Sequence, residues 1–159
     1  MQELDVIVVG AGPAGLAAAC LLAVYGRSVT LAARPQSEMN DPRTVALMTP
    51  SLGLLARIGL WPGELRSKTE PLRKLRLVDD TGSTLKAPTI TFDARELGED
   101  AFGWNIPLNI LIPALHHRAR QLGVHLVEAD AETASPASDH ILIQTGSGQN
   151  LRAHVALSL

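Results

Sequence analysis

A glycine-rich loop near the start of the chain has the residue types and spacing to bind a phosphate. Gly10, Gly12 and Gly15 form a GxGxxG pattern. In such a loop the first glycine permits a sharp turn, the second leaves room for a pyrophosphate, and the third allows close helix packing. Pro13 suits the first turn of a helix, where its missing N–H costs no hydrogen bond. Free N–H groups and the positive end of the helix dipole favour phosphate here.

The segments around the loop are those that a dinucleotide-binding βαβ unit needs. Four consecutive β-branched residues, 6–9, predict a buried parallel strand before the loop. An apolar helix follows and ends at Gly26, and residues 29–32 predict a second strand. A GxGxxG pattern alone is a weak signal, because a purely structural turn can share it. Its position between a strand and a helix strengthens the nucleotide-binding interpretation.

The second strand lacks one residue that this type of site normally contains. An Asp or Glu about 20 residues past the glycines usually binds the ribose hydroxyls. Here the strand ends at Ala33 and Arg34, and no acid precedes Glu38. Three explanations stay open: other groups hold the ribose, Arg34 binds the 2′-phosphate of NADP, or the site is damaged.

Composition indicates one ordinary domain and excludes several classes of protein. The chain has 159 residues, 46% of them hydrophobic, and a net charge of -2, so it has no electrostatic footprint for nucleic acid. The single cysteine, Cys20, excludes an intramolecular disulfide framework. Residues 6–24 are apolar, but Asp5 precedes them and glycines interrupt them, which argues against a signal peptide or membrane span. We expect a soluble, cytoplasmic protein, with peripheral association with the inner membrane left open.

Downstream of the βαβ unit the sequence predicts irregular chain and a short helix. Residues 35–50 are polar and contain three prolines, which favours an extended, loop-like path over a long helix. A loop that leaves the second strand of such a fold runs near the cofactor. Arg43 in this loop can reach a phosphate with its forked donors, although an ordinary surface arginine fits equally well. Ser51 is a suitable N-cap for a helix that ends at Gly59, and residues 63–71 predict a solvated connection.

The remaining residues predict a β excursion followed by more α/β structure. Extended runs at 74–78 and 84–92 flank a turn at 80–83 and predict an antiparallel hairpin. Residues 102–107 predict an extended segment before a helix that ends at Gly123, in which Pro113 predicts a late start or a kink. Residues 124–127 predict a third parallel strand, and 140–145 and 151–157 predict a terminal β-pair.

Five of these segments, in this order, resemble the N-terminal part of flavin-dependent aromatic monooxygenases, particularly the ubiquinone-biosynthesis hydroxylases. The segments are DVIVVGAGPAGLAAACLLA, DPRTVAL, SLGLLARIGLW, VDDTG and FGWNIP. The resemblance covers nearly the whole chain, and the ordered set is far more specific than the glycine motif. It implies an α/β fold, a Rossmann-like FAD-binding βαβ sheet with an inserted antiparallel β-hairpin.

The resemblance also implies a cofactor and a reaction. Members of the family bind FAD, take a hydride from NAD(P)H and use oxygen to hydroxylate an aromatic ring. The glycine loop would face the FAD pyrophosphate and Arg43 would contact the cofactor. Together with Arg34, the candidate cofactor-binding residues are Gly10, Ala11, Gly12, Pro13, Ala14, Gly15, Arg34 and Arg43. We assign no catalytic side chain and no metal ligand, because the cofactor carries the chemistry.

Three departures from the family pattern qualify this expectation. The ribose-binding acid of the family would fall at Ala33. A helix position near the flavin, where the family commonly has Arg, Gln or Asn, is Leu108 in this chain. A later Gly-Asp motif that contacts the flavin would follow Leu159. We therefore expect a flavin site that is incomplete relative to the family. The FAD-binding part would comprise residues 1–72 and 106–159, and residues 73–105 would form the β excursion toward the substrate side.

Three functions remain open at this point. The first is the FAD-binding part of an aromatic hydroxylase that acts on a small aromatic molecule, a polyprenylated phenol of ubiquinone biosynthesis. The second is an independent NAD(P)-binding module, which Ala33 and Arg34 favour. The third is an inactive truncated fragment that pairs with another copy through an exposed sheet edge.

Overall fold

The described part of the chain, residues 4–34, 41–82 and 86–159 of a computed structural model, alternates strands with helices. In chain order the elements are β1 Leu4–Val9, α1 Pro13–Val24, β2 Val29–Ala33, β3 Thr44–Met48, α2 Thr49–Arg57, α3 Gly63–Arg66, β4 Glu70–Leu72, β5 Lys74–Leu77, β6 Ile90–Asp93, a 3₁₀ helix Ala94–Leu97, β7 Gly103–Pro107, α4 Leu108–Gln121, β8 His125–Glu128, β9 Ala131–Pro136, β10 Ile141–Thr145 and β11 Asn150–Ser158.

One mixed sheet carries the glycine loop, and its six strands have the order β8-β2-β1-β11-β10-β9. Strands β8, β2, β1 and β11 run parallel, whereas β11, β10 and β9 form an antiparallel meander. Antiparallel strands also form a separate sheet, β3-β7-β4, and the two-stranded hairpin β5-β6. The predicted fold class, a Rossmann-like α/β sheet with an inserted hairpin, is confirmed.

The first βαβ unit forms because its strands are apolar on both faces. Val6 and Val8 join the core on the helix-covered face of the sheet, while Ile7 joins a second core on the opposite face. Helix α1 buries Leu16, Ala19 and Cys20 and packs against α4. Cys20 Sγ lies 3.7 Å from the carbonyl oxygen of Leu115 in α4. Among the helices that the structure describes, none is both long and apolar enough to cross a membrane.

Helix α4 begins at Leu108 and contains Pro113 in its interior, so the predicted late start is wrong. An interior proline costs a helix about 3 kcal/mol or more. The same helix buries Leu111, Ile112 and Leu115, and each such burial contributes about 1.5–3 kcal/mol. Packing of this face therefore offsets the cost of the proline.

The predicted extended path at 35–50 is confirmed for residues 44–48, but its loop-like character is wrong there. Residues 44–48 form β3, which pairs antiparallel with β7 from Thr44↔Pro107 to Met48↔Gly103. Residues 35–40 of that prediction lie outside the described residues. Helix α2 begins at Thr49 with Met48 as its N-cap, so the assignment of Ser51 as N-cap is also wrong. Pro50 lies in the first turn of the helix, where its fixed φ is suitable.

The predicted connection at 63–71 instead contains the short helix α3 and the strand β4. The predicted hairpin is confirmed as β5 and β6, with Lys74 opposite Asp93 and Leu77 opposite Ile90. The second strand begins at Ile90, which is later than predicted, and residues 83–85 of that run lie outside the described residues.

The end of the chain contributes a strand to the centre of the sheet. The predicted pair β10 and β11 is confirmed, and the predicted third parallel strand is β8, which pairs with β2. Strand β11 also pairs with β1 in parallel, from Leu4↔Ala153 to Val9↔Ser158, which was not predicted. The polar connection expected before β10 contains the edge strand β9, whose residues are largely exposed.

Candidate cofactor site

Gly10 makes the turn from β1 toward α1 in a conformation that other residues rarely adopt. Its φ angle is 109°, and its N–H donates to the carbonyl oxygen of Ala32 at 2.9 Å. The N–H of Leu159 donates to the carbonyl oxygen of Val9 at 3.0 Å, which places Leu159 against the turn. A Cβ atom at position 10 would overlap the carbonyl oxygen of Leu159. Backbone conformation and packing both exclude a side chain here.

Gly12 and Gly15 have different surroundings. Gly12 has an ordinary extended conformation, with φ -69° and ψ 173°, and no described atom comes within 4 Å of a Cβ built on it. Gly15 is buried, and a Cβ there would overlap the carbonyl oxygen of Gly10. Gly15 therefore lets α1 close onto the loop, whereas Gly12 leaves open space beside it.

The first turn of α1 presents backbone donors. Gly12 is the N-cap and has no side chain that could bond to the turn, and Pro13 follows it without an N–H. The N–H of Leu16 bonds to the carbonyl oxygen of Gly12 at 3.0 Å. The N–H groups of Ala14 and Gly15 precede it and have no intrahelical partner in an α-helix. These donors, with the positive end of the helix dipole, can bind an anion.

A cleft of about 280 Å³ adjoins this turn. Its lining residues are Val9, Gly10, Ala11, Gly12, Ala32, Ala33, Arg34, Asp130 and Ala131. Apart from Ala131, the first residue of β9, they lie at or just past the carboxyl ends of β1, β2 and β8, the edge at which open α/β sheets bind ligands. The structure thus brings Gly10, Ala11, Gly12 and Arg34 together in one cleft. Pro13, Ala14 and Gly15 form the helix turn next to it.

Arg34 is paired with an acid across the cleft. Its Nε donates to Asp130 Oδ1 at 3.0 Å and lies 2.9 Å from Oδ2. The Arg34 side chain is 82% exposed and that of Asp130 is 49% exposed, so the pair adds little to stability. Both side chains are accessible to a ligand in the cleft.

Arg43 lies elsewhere, immediately before β3, and binds Asp41. Its Nη2 donates to Asp41 Oδ2 at 2.6 Å, and its Nε and backbone N–H donate to the same carboxylate. These bonds lower the pKa of Asp41 to about 2, and the bonds from the Arg43 side chain have the largest effect. Arg43 is outside the cleft lining, and its contact with a cofactor stays a prediction.

Sequence reasoning missed Asp130. The residue follows β8 by two positions, and the predicted strand at 124–127 already placed the end of β8 at the carboxyl edge of a parallel sheet. A polar residue just beyond such a strand was the available signal. That signal alone does not identify Asp130, because the register of β8 against β2, with Ala33 opposite Glu128, cannot be inferred from the sequence.

The geometry fits one part of a dinucleotide. Sites for small ligands and cofactors commonly have volumes of about 300–1,000 Å³, so a cleft of about 280 Å³ suits a segment of such a ligand. The open space at Gly12 and the N–H donors of α1 suit a pyrophosphate. The carboxylate of Asp130 can accept hydrogen bonds from the hydroxyls of a sugar.

The model of the FAD binding domain family matches residues 3–151 of the chain. The chain belongs to this family. A ubiquinone hydroxylase, UbiM, from Neisseria meningitidis is 33% identical over 124 residues, which cover 74% of this chain and 27% of that protein. A 2,4-dichlorophenol 6-monooxygenase from Delftia acidovorans is 29% identical over 160 residues, covering 88% of this chain and 27% of that protein. The chain thus spans about a quarter of the length of these relatives.

Solved structures with the same fold include two monooxygenases. p-Nitrophenol 4-monooxygenase PnpA from Pseudomonas putida superimposes with a TM-score of 0.76 at 23% identity, over 99% of this chain and 41% of that chain. The flavin-dependent monooxygenase PieE, in complex with FAD and substrate, superimposes with a TM-score of 0.75 at 18% identity, over 98% and 30% of the two chains.

These findings decide the family and the cofactor. The predicted membership in the flavin monooxygenase family is confirmed, and so is FAD as the cofactor. The chain is an FAD-binding domain of the aromatic hydroxylase and monooxygenase family. A family of FAD-binding domains favours this interpretation over an independent NAD(P)-binding module.

Proposed function

We propose that this chain is the FAD-binding part of an NAD(P)H- and oxygen-dependent aromatic hydroxylase whose substrate is a polyprenylated phenol of ubiquinone biosynthesis. The observation that carries the proposal is the family match over residues 3–151. The substrate class rests on the 33% identity to a ubiquinone hydroxylase.

Within this proposal the residues of the chain bind and orient the cofactor. The N–H groups of Ala14 and Gly15 and the α1 dipole hold the pyrophosphate, while Gly12 lets it approach the backbone. Gly10 and Gly15 fix the turn that aims these donors. FAD, when bound, supplies the redox chemistry of the reaction.

Arg43 is the proposed second contact with the cofactor. In the described structure its guanidinium is occupied by Asp41, although its side chain is 77% exposed. A phosphate would compete with the Asp41 carboxylate for the same forked donors. Replacing Asp41 by Asn should therefore strengthen FAD binding if Arg43 contacts the cofactor, and should leave it unchanged if Arg43 is a surface residue.

Peripheral membrane contact is a further part of the proposal, because a polyprenylated substrate partitions into lipid. The hairpin β5-β6 and its turn expose apolar side chains, with Leu77 60%, Val78 61%, Ile90 47% and Phe92 43% exposed. Sedimentation of the chain with phospholipid vesicles, compared with a Leu77→Ser and Val78→Ser variant, tests this contact. Size-exclusion chromatography with light scattering tests self-association of the same surface or of the sheet edges.

The test of the main proposal is a calorimetric titration of the purified chain with FAD, FMN and NADPH. We expect FAD to bind most tightly, because FMN lacks the pyrophosphate-linked adenosine and NADPH carries an additional 2′-phosphate. Selective binding of NADPH would contradict the proposal and favour a nicotinamide-nucleotide module. Binding of none of the three would also contradict the proposal, because the chain would then not hold the cofactor.

A further inference from the structure

The carboxylate that is missing from the end of β2 has a counterpart on the neighbouring strand. Strands β2 and β8 run parallel with Thr30 opposite His125 and Ala33 opposite Glu128. Their carboxyl ends therefore lie side by side. Residues just past Glu128 can reach the space that a longer, acidic side chain at position 33 would occupy. Asp130 and Ala33 line the same cleft.

The backbone around Asp130 is fixed on two sides. The carbonyl oxygen of Asp130 accepts a hydrogen bond from the N–H of Gly146 at 2.9 Å, which ties it to the turn after β10. The N–H of Ala129 bonds to the carbonyl oxygen of Val127, also at 2.9 Å. The side chain of Asp130 therefore projects from an anchored position.

Arg34 orients the carboxylate without using all its acceptor sites. The guanidinium Nε contacts both Asp130 oxygens, and a carboxylate offers about four lone-pair sites. Half of the Asp130 side chain is exposed, at 49%. The carboxylate can therefore accept hydrogen bonds from a pair of ligand hydroxyls while it stays paired with Arg34.

The charges of the pair also discriminate between ligands. A ribose with free hydroxyls donates hydrogen bonds to the Asp130 carboxylate, whereas a 2′-phosphate would be repelled by its negative charge. Arg34 alone would attract that phosphate, but in this structure its Nε is engaged by Asp130. The pair favours a ribose diol over a 2′-phosphorylated ribose.

We propose that Asp130 binds the adenosine ribose of FAD in place of the acid missing at Ala33, with Arg34 as the residue that positions its carboxylate. This assignment rests on the proposed FAD-binding function. It explains how the site can bind FAD without the acid at the end of β2, and it gives Arg34 a function other than binding NADP.

The experiment compares ADP, 2′,3′-dideoxy-ADP and 2′-phospho-ADP as probes of the adenosine half of the site. Affinities are measured by NMR titration of the wild-type chain and the Asp130→Asn and Arg34→Gln variants. Asp139→Asn is the control for loss of an exposed carboxylate outside the cleft; Asp139 Oδ1 lies 2.6 Å from His140 Nδ1, and its Oδ2 lies 3.6 Å from Arg152 Nη2. Thermal unfolding of each variant checks that the fold is retained.

We expect removal of the hydroxyls to weaken ADP binding to the wild-type chain by about tenfold, the effect of losing a hydrogen bond to a charged group. Asp130→Asn should weaken ADP binding similarly, and loss of the hydroxyls should then have little further effect. The same variant should raise the affinity for 2′-phospho-ADP relative to ADP by about tenfold, because Arg34 is then released. Arg34→Gln should reduce the discrimination between ADP and dideoxy-ADP, and Arg34→Lys should restore part of it.

Equal ADP binding by the wild-type chain and Asp130→Asn, with FAD still bound, would overturn the assignment of Asp130 alone. An unchanged cost of hydroxyl removal in Asp130→Asn would do the same. Failure of the wild-type chain to bind either ADP or FAD would overturn both this assignment and the proposed function.

Discussion

The two ends of the same parallel strands use polar groups in opposite ways. At the amino end, Asp5 and Ser28 bond to each other: the N–H and hydroxyl of Ser28 donate to Asp5 Oδ2 at 2.8 and 3.0 Å, and the N–H of Asp5 donates to Ser28 Oγ at 2.9 Å. At the carboxyl end, the start of α1 presents N–H donors beside open space at Gly12.

This difference separates groups that hold the fold from groups that can bind a ligand. The Asp5–Ser28 bonds join the start of β1 to the start of β2 and help to fix their register. The donors at the carboxyl end are held in place by Gly10 and Gly15, whose surroundings exclude a side chain. One glycine motif therefore contains both fold-determining and ligand-facing positions.

Gly10→Ala should have the largest effect, on stability. The substitution places a Cβ at a φ of 109° and against the Leu159 carbonyl oxygen, so we expect the free energy of unfolding to fall by about 3 kcal/mol or more. Gly148→Ala is the control, because its φ is 78° but no described atom comes within 4 Å of the new Cβ. Its cost should be about 1–2 kcal/mol. Denaturant unfolding measures both, and equal losses would show that the contact with Leu159 is unimportant.

Gly12→Val should weaken FAD binding strongly and leave the fold intact. The conformation of Gly12 suits an L-residue, and the new side chain enters open space. We expect FAD affinity to fall by about 100-fold, the effect of losing one to two charge-assisted hydrogen bonds. Gly53→Val, on an exposed position of α2 that is also open, is the matched control and should bind FAD normally. Unchanged FAD affinity in Gly12→Val would place the pyrophosphate elsewhere.

Asp5→Asn tests the amino end and should have the smallest effect. The Ser28 backbone N–H, and then its hydroxyl, keep the pKa of Asp5 below its ordinary value of 3.8. A lowered pKa in the folded state adds stability above pH 3.8 that is lost as the pH falls through the folded-state pKa. The variant should therefore unfold at a slightly lower temperature at pH 7, and the difference should shrink in acid. FAD affinity should not change, and a loss of it would break the contrast between the two ends.

The sequence predicts the glycine loop and its flanking elements well because local patterns determine them. A β-branched run, a proline at the helix start and Gly26 after the helix each act within a few residues. Strand β11 beside β1 could not be predicted, because its partner lies about 150 residues away in the sequence. Strand β9 was missed because its residues are largely exposed and lack apolar alternation. The Arg34–Asp130 pair could not be predicted either, because it depends on the long-range pairing of β2 with β8.

The most direct test of the central claim is an NMR titration of the ¹⁵N-labelled chain with FAD. If the carboxyl end of the sheet holds the cofactor, the largest chemical-shift changes will fall on the amides of Gly12, Ala14, Gly15 and Arg34. The chemical shift of the Ser28 amide, at the amino end of the same sheet, should not change. Changes centred on Ser28, or an absence of changes at Gly12, Ala14 and Gly15, would contradict the assignment.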